Sequence, residues 1–233
     1  MGHLVRGLLL AAAVYLAFAG ALLALMYRPP EQYAKTIAYM PRVGLGIFPY
    51  YRMWRVARAG SLRAGGAAPD FELSTPDQRT RQRLSGLRGR PVLLIFSSYS
   101  SPNFRRQLGG LHQAHREYKD RVSFLMVYIQ EAYASDVWPQ DENARDQVSV
   151  PAHRTMEERR AAAAAGARNL KIEFPIVVDD LDNPVEIAYT AWPDRLYLID
   201  SEGRVVWKAS PGPVGLDAAR TRIALRWLLS KGR

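Results

Sequence analysis

Residues 91–129 read PVLLIFSSYSSPNFRRQLGGLHQAHREYKDRVSFLMVYI, and this stretch decides the fold. Pro91 to Phe96 is a continuous apolar run, the pattern of a strand buried on both faces. Residues 103–119 then place Phe104, Leu108, Leu111, His115 and Tyr118 at spacings of four, three, four and three, which is one face of a helix. His115 falls on that core face and His112 reads as a surface residue. Gly109-Gly110 weakens the helix and predicts a kink. Ser123 to Ile129 is a second buried strand.

The pattern continues on both sides. Upstream, Phe71-Glu72-Leu73 and residues 79–84 flank the turn-rich Ser74-Thr75-Pro76-Asp77, which predicts a hairpin. Downstream, Thr155-Met156-Glu157-Glu158 has the spacing of a capping box, followed by an alanine-rich helix through Leu170. Phe174 to Val178, Leu196 to Ile199 and Val205 to Lys208 read as strands, the last two joined by a turn at Ser201-Glu202-Gly203. A final helix from Asp217 to Leu229 places Ile223 and Trp227 on one side. Alternating strands and helices with a terminal hairpin imply an α/β sandwich around a mixed sheet.

The N-terminus has a different character. Gly7 to Tyr27, GLLLAAAVYLAFAGALLALMY, carries no charge. At 1.5 Å rise per residue it spans roughly 30 Å, the thickness of a bilayer's hydrocarbon core. A cleavable signal peptide is the rival reading, with Ala17-Phe18-Ala19 as its cleavage site. The apolar run continues well past that site, so an uncleaved single-pass anchor is the preferred reading. The expected organisation is an anchor over residues 1–27, a basic and aromatic juxtamembrane linker over 28–65, and a globular domain over 66–233.

Composition narrows the function. The 233 residues are 48% hydrophobic, which argues against disorder, and carry a net charge of +10. Residues 1–66 hold eight basic side chains against one acid, Glu31, a net +7 of that total. The globular part is nearly balanced, so no nucleic-acid partner is expected; the excess lies beside the apolar segment and points to a membrane surface. Between Tyr33 and Arg58, aromatic side chains alternate with basic ones. Such a segment lies either in the headgroup layer or as a connector packed on the main domain. More Lys and Arg follow the apolar segment than precede it, which favours a cytoplasmic domain. There is no cysteine anywhere, which excludes disulfides, zinc-thiolate sites and thiol nucleophiles. No metal site and no cofactor are expected, and no phosphate-binding loop, dinucleotide fingerprint or Gly-x-Ser-x-Gly elbow occurs.

Specific residues carry a family resemblance. Ala68-Pro69-Asp70-Phe71-Glu72-Leu73 resembles the opening strand of peroxiredoxin-like, thioredoxin-fold proteins. Phe96-Ser97-Ser98-Tyr99-Ser100-Ser101-Pro102-Asn103-Phe104 is similar to the active-site loop of the iodothyronine deiodinase family, Phe-Gly-Ser-x-Thr-selenocysteine (or Cys)-Pro-Pro-Phe. Further blocks resemble the same family in order: Glu117 to Arg121, Tyr128 to Trp138, His153 to Arg159, Val178-Asp179-Asp180 with Asn183, and Pro193-Asp194-Arg195-Leu196-Tyr197. The resemblance spans about residues 66–229. It implies a thioredoxin-like three-layer sandwich with a mixed central sheet, an oxidoreductase ancestry and a thiol reductant partner. It also implies a small aromatic or anionic ligand; a homodimer is a further expectation.

The departures matter most. Where the resemblance places a selenol or thiol, this chain has Ser101. A thiolate or selenolate is soft and can be oxidised and re-reduced, whereas a serine hydroxyl cannot. Where the family's Glu-Ala-His motif has its histidine, this chain has Tyr133, whose phenol with a pKa of about 10 is a poor proton shuttle near neutrality. What remains by resemblance is Glu131, His153, Arg195 as a clamp for an anionic group, Pro193 in a cis bond facing the loop, and Ser98 with Ser100 around the ligand. Each has a plainer reading. Glu131 would bond backbone groups, His153 would serve the helix start at Thr155, and Arg195 would form a surface ion pair with Asp194 or Asp180. The first expectation is a membrane-anchored deiodinase-like protein without the family's redox chemistry. The alternatives are an oxidoreductase that borrows a partner's thiol, and a serine-based hydrolase using Ser101.

Overall fold

The computed structural model describes residues 2–40 and 46–231, and the chain divides into two compact units, Met1–Ala59 and Gly60–Arg233. Arg42, counted above with the basic stretch, lies outside the described residues.

In the first unit, α1 (Gly2–Met26) is one uninterrupted helix, long and apolar enough to cross a membrane. Its only strongly buried side chains are Leu22 and Met26. Among the described residues, the segment after it holds the short helices α2 (Pro30–Ile37) and α3 (Tyr50–Ala57). Pro30 starts α2 at a position where its missing N–H costs nothing. Both helices turn aromatic side chains inward. The Tyr33 and Trp54 rings meet at 4.9 Å, and the Tyr33 and Tyr50 hydroxyls bond to one another. Arg58 spans back to the Arg28 carbonyl at 2.7 Å. Helices α2 and α3 therefore build a small core within their own unit.

The second unit opens with the hairpin β1 (Glu72–Ser74) and β2 (Arg81–Arg83), paired antiparallel with Leu73 opposite Gln82. A single 3-10 turn follows at Ser85–Leu87. The main sheet contains β3 (Val92–Ser97), β4 (Ser123–Tyr128), β5 (Ile176–Val178), β6 (Arg195–Ile199) and β7 (Val205–Lys208). Their order is β5-β4-β3-β6-β7. The pairs β3–β4 and β4–β5 are parallel, while β3–β6 and β6–β7 are antiparallel, which is the mixed sheet expected from the sequence. The helices are α4 (Pro102–Tyr118), α5 (Asp141–Arg145), α6 (Met156–Asn169), α7 (Pro184–Tyr189) and α8 (Ala218–Lys231).

Every residue of β3 is buried because both sheet faces are covered. Leu93 and Ile95 face a core shared with Leu111 of α4, Ala163 of α6 and Leu225 of α8. Phe96, on the alternate register, meets Tyr189 of α7 at 5.0 Å and Tyr197 of β6 at 6.1 Å. Full burial of each such apolar side chain contributes roughly 2 kcal/mol, so a short six-residue strand suffices as the centre of the domain.

Some local expectations are corrected. The Gly109-Gly110 pair leaves α4 unbroken from Pro102 to Tyr118. A Cβ on Gly110 would lie 2.5 Å from the Ala218 Cβ, so this glycine is where α4 and α8 approach closely. His112 is not a surface residue; its side chain is 13% exposed and packs on Phe174. On α8 the buried side is Thr221, Ala224 and Leu225, while Ile223 and Trp227 are largely exposed.

Candidate functional site

The site forms where the loop after β3 meets the loop after β4. The parallel register sets Ser97 beside Tyr128, so the chain segments leaving both strands run side by side. The opposite neighbour, β6, pairs Arg195 with Phe96, which brings Pro193 and Asp194 to the same end of β3. The Trp192-Pro193 bond is cis.

Hydrogen bonds stitch the two loops together. Ser98 Oγ accepts from the Ala132 N–H at 3.0 Å, and Ser100 Oγ accepts from the Tyr133 N–H at 3.1 Å. In return, the Ser100 N–H donates to Glu131 Oε2 at 2.8 Å. The Tyr128 hydroxyl donates to Glu131 Oε1 and accepts from the Tyr99 N–H at 3.2 Å. His153 Nε2 lies 3.5 Å from the same Glu131 oxygen, with both side chains out of solvent. Five predicted site residues therefore meet here: Ser98, Ser100, Glu131, His153 and the main chain of Tyr133.

Burial governs the electrostatics. It raises the Glu131 carboxyl, against the lowering effect of its bonds from Ser100 and Tyr128. It raises the Tyr128 phenol, and the neighbouring carboxylate raises it further. His153 is pushed down to about 4, first by burial and then by the Arg159 charge, so the imidazole is neutral at pH 7. Arg159 is itself buried and donates to the carbonyls of Asp179 and Asp180 at 3.3 and 2.6 Å and to Asn183 Oδ1 at 2.8 Å. His153 does not serve the helix start: Thr155 and Glu158 complete the capping box of α6 between themselves.

Ser101 belongs to a second cluster. It is the N-cap of α4, and its hydroxyl accepts from the Phe104 N–H at 3.2 Å. Pro102 occupies the first helical position. Serine suits this cap because its oxygen satisfies one of the helix's orphan N–H groups. The Ser101 hydroxyl and the Asn103 side chain also approach the carboxylate of Asp194, helping to hold its charged form against burial, which pushes the group up to about 6. Ser97 Oγ donates to Asp194 Oδ1 at 2.6 Å, while Oδ2 is buried without a partner in good hydrogen-bond geometry. Ser97, Ser98, Ser100, Ser101 and Asp194 are all fully buried.

Arg195 is also buried. It donates to the carbonyls of Ala209 at 3.2 Å and Thr190 at 3.1 Å, so it does not form a surface ion pair. The Tyr133 ring packs on Trp138 at 4.9 Å, and Trp138 stacks on Trp192 at 6.4 Å.

Sequence reasoning passed over Tyr128, Asp194 and Arg159. A tyrosine at the end of a buried strand signals a partner for its hydroxyl, and an acid just before a fully apolar strand signals a buried carboxylate. Arg159 gave no local signal. Among the described residues, no group of three or more His, Cys, Asp or Glu side chains could hold a metal ion.

Comparison with known proteins gives the family and the fold. The family model for iodothyronine deiodinase matches residues 50–228. A thyroxine 5-deiodinase of Sparus aurata is 35% identical over 173 residues, covering 72% of this chain and 61% of the relative. The Bos taurus enzyme of the same name is 34% identical over 160 residues, covering 68% and 52%. This chain thus spans between about half and three fifths of the length of these relatives. Among solved structures, protein SMc02350 of Sinorhizobium meliloti superposes with a TM-score of 0.55 at 20% identity, covering 74% of this chain and 87% of that one. A candidate disulfide isomerase of Bacteroides thetaiotaomicron gives 0.51 at 18% identity, covering 73% and 92%. At that identity the likeness concerns the fold, which is thioredoxin-like.

Proposed function

The chain belongs to the iodothyronine deiodinase family, and from that premise we propose that it is a membrane-anchored member that keeps the family frame without thiol or selenol chemistry. One observation carries this reading: the residue in the nucleophile position, Ser101, is a buried helix cap in a chain that contains no cysteine. A hydroxyl cannot cycle between reduced and oxidised states as a thiolate does. Tyr133 in place of a histidine removes a proton shuttle in the facing loop after β4. The Glu131, Tyr128, Ser98 and Ser100 network then has a structural task, holding two loops at fixed distance. The Tyr133, Trp138 and Trp192 rings support an aromatic ligand as the retained binding partner. Helix α1 is the single-pass anchor, and the basic excess after it favours the cytoplasmic side for the domain.

The test uses the full chain in detergent or vesicles with a dithiol donor and iodothyronine or peroxide as substrate. Turnover is expected to stay at background, and robust turnover overturns the reading. Ser101→Cys combined with Tyr133→His asks whether the surrounding site still supports the chemistry once its two missing groups return. A second reading, a serine-based hydrolase, draws on the Asp194 carboxylate beside the Ser101 hydroxyl. There Asp194 would take the hydroxyl proton, the oxygen would attack an acyl carbon, and the leaving alcohol would take the proton. Fluorophosphonate labelling at Ser101 would favour it; the expected result is no labelling, because the hydroxyl is fully buried.

A further inference from the structure

In the N-terminal unit, the helix that looks uniformly apolar in sequence is not uniformly bare. Leu8, Leu10, Val14 and Phe18 are exposed, whereas Leu22 and Met26 are 3% and 0% exposed. The returning chain lies against the helix from Tyr15 upward. The Tyr15 ring stacks on Phe48 at 5.1 Å, and its hydroxyl donates to the Ile47 carbonyl at 3.4 Å. At the top, Arg58 reaches the Arg28 carbonyl at 2.7 Å. Between these two ties, α3 climbs beside the C-terminal half of α1. Its inner side is Trp54, and its outer side is Tyr51, Arg52, Arg55 and Val56, all exposed.

We propose that the hydrocarbon boundary crosses α1 near Phe18 to Leu22, not at Tyr27, and that the outer face of α3 lies in the headgroup layer with Arg52 and Arg55 on the phosphates of anionic phospholipids. Length agrees. From Arg6 to Leu22 the helix rises about 24 Å, and arginine side chains at both levels snorkel outward to complete a hydrocarbon core of about 30 Å. Were the boundary at Tyr27, α3 would carry two guanidinium groups into hydrocarbon, where unpaired charge is expelled. Charge agrees as well. Glu31 is the one acid of residues 1–66 and is taken by Lys35 at 2.6 Å. Among the described residues, Arg52 and Arg55 make no ion pair, so anionic headgroups are the complementary partner. The exposed apolar side chains of α1 and the exposed arginines of α3 belong to the same unit, which makes lipid the occupant. The proposal rests on α1 being retained as an anchor.

The absence of cysteine makes the test direct, since single cysteines can be introduced for nitroxide labelling. The full chain is reconstituted in vesicles of phosphatidylcholine with one quarter phosphatidylglycerol. Labels at Val14→Cys, Ala24→Cys and Tyr27→Cys are probed with oxygen, which partitions into lipid, and with a water-soluble nickel chelate. Oxygen should dominate at Val14, and nickel at Ala24 and Tyr27. Oxygen dominance at Ala24 overturns the boundary, and low access to both reagents there indicates a second copy and overturns it too. Lipid co-purified with the chain should be enriched in phosphatidylglycerol. Arg52→Gln and Arg55→Gln should each lower the ratio of the association constants for phosphatidylglycerol and phosphatidylcholine roughly fivefold at low salt. Unchanged enrichment in the double variant removes the headgroup assignment. Intact-mass analysis separates these failures from loss of the anchor: a chain cleaved after Ala19 would sink the anchor reading itself.

Discussion

The loop after β3 has a buried carboxylate on each side, and the two are held differently. On one side, Glu131 receives the Ser100 N–H on one oxygen and the Tyr128 hydroxyl on the other, with a neutral imidazole 3.5 Å away. On the other side, Asp194 receives Ser97 on Oδ1 and leaves Oδ2 without a well-formed bond. The first carboxylate ties a main-chain N–H of the loop after β3 to the Tyr128 hydroxyl at the end of β4. The second lies beside the Ser101 hydroxyl; hydroxyl and amide groups and the Arg106 charge favour its ionised form, yet burial outweighs them and pushes the group up to about 6. The Glu131 network can persist for structural reasons alone, because Glu131, Tyr128, Ser98 and Ser100 satisfy one another.

This comparison can be broken from either side. The largest effect is expected for Glu131→Leu, which strands the Ser100 N–H and the Tyr128 hydroxyl in a dry interior. A loss of about 4 kcal/mol is expected in denaturant unfolding followed by tryptophan fluorescence, since each orphaned buried donor costs roughly 1–3 kcal/mol. A loss below about 1 kcal/mol would show that Glu131 is no organiser.

The pH dependence should then run in opposite directions for His153 and Asp194. His153 has its pKa lowered from 6.5 to about 4, so the unfolded chain binds the proton first. Stability from this group is present above pH 6.5 and is lost as pH falls towards 4, by up to about 3.4 kcal/mol at 1.36 kcal/mol per unit. His153→Gln should flatten that acid limb. Asp194 is raised from 3.8 to about 6, so here the folded chain binds the proton first. Its contribution is present below pH 3.8 and is lost as pH rises through 6, by about 3 kcal/mol. Asp194→Asn should remove this opposing slope, and unchanged curves in both variants would end the distinction between the two sides. The smallest effect belongs to Ser101→Ala, which removes the α4 cap and should cost about 1 kcal/mol. A much larger loss would show that the hydroxyl does more for Asp194 than the cap does for the helix.

Most of the fold was legible because its signals are local. The apolar run at Val92–Phe96, the helical spacing from Phe104 to Tyr118 and the Thr155–Glu158 capping box each lie within one element. Elements that depend on distant partners were harder to see. The six-residue α7 has an N-cap residue, Asn183, in a left-handed conformation with no side-chain bond to the helix start. Its first N–H groups are met instead by Asp179, which accepts from Val185 and Glu186 at 3.3 and 2.8 Å. The Gly109-Gly110 pair misled for the same reason, because intrinsic propensity ignores the close approach of α8. In the site, Glu131 and His153 were visible as residue types. Their meeting at 3.5 Å was not, since they sit on separate loops.

By itself the sequence determined the alternation of strands and helices, the apolar N-terminal segment with its basic flank, and the absence of any thiol, because each is a property of neighbouring residues or of a count. Tertiary structure decided what Ser101 and its neighbours do. Sheet register placed Ser97 against Asp194 and the Ser98–Ser101 loop against Glu131, turning hydroxyls that read as a reactive loop into buried hydrogen-bond partners and a helix cap. Residues far apart in the chain share a hydrogen bond only where strand pairing closes the distance, and no local pattern carries that information.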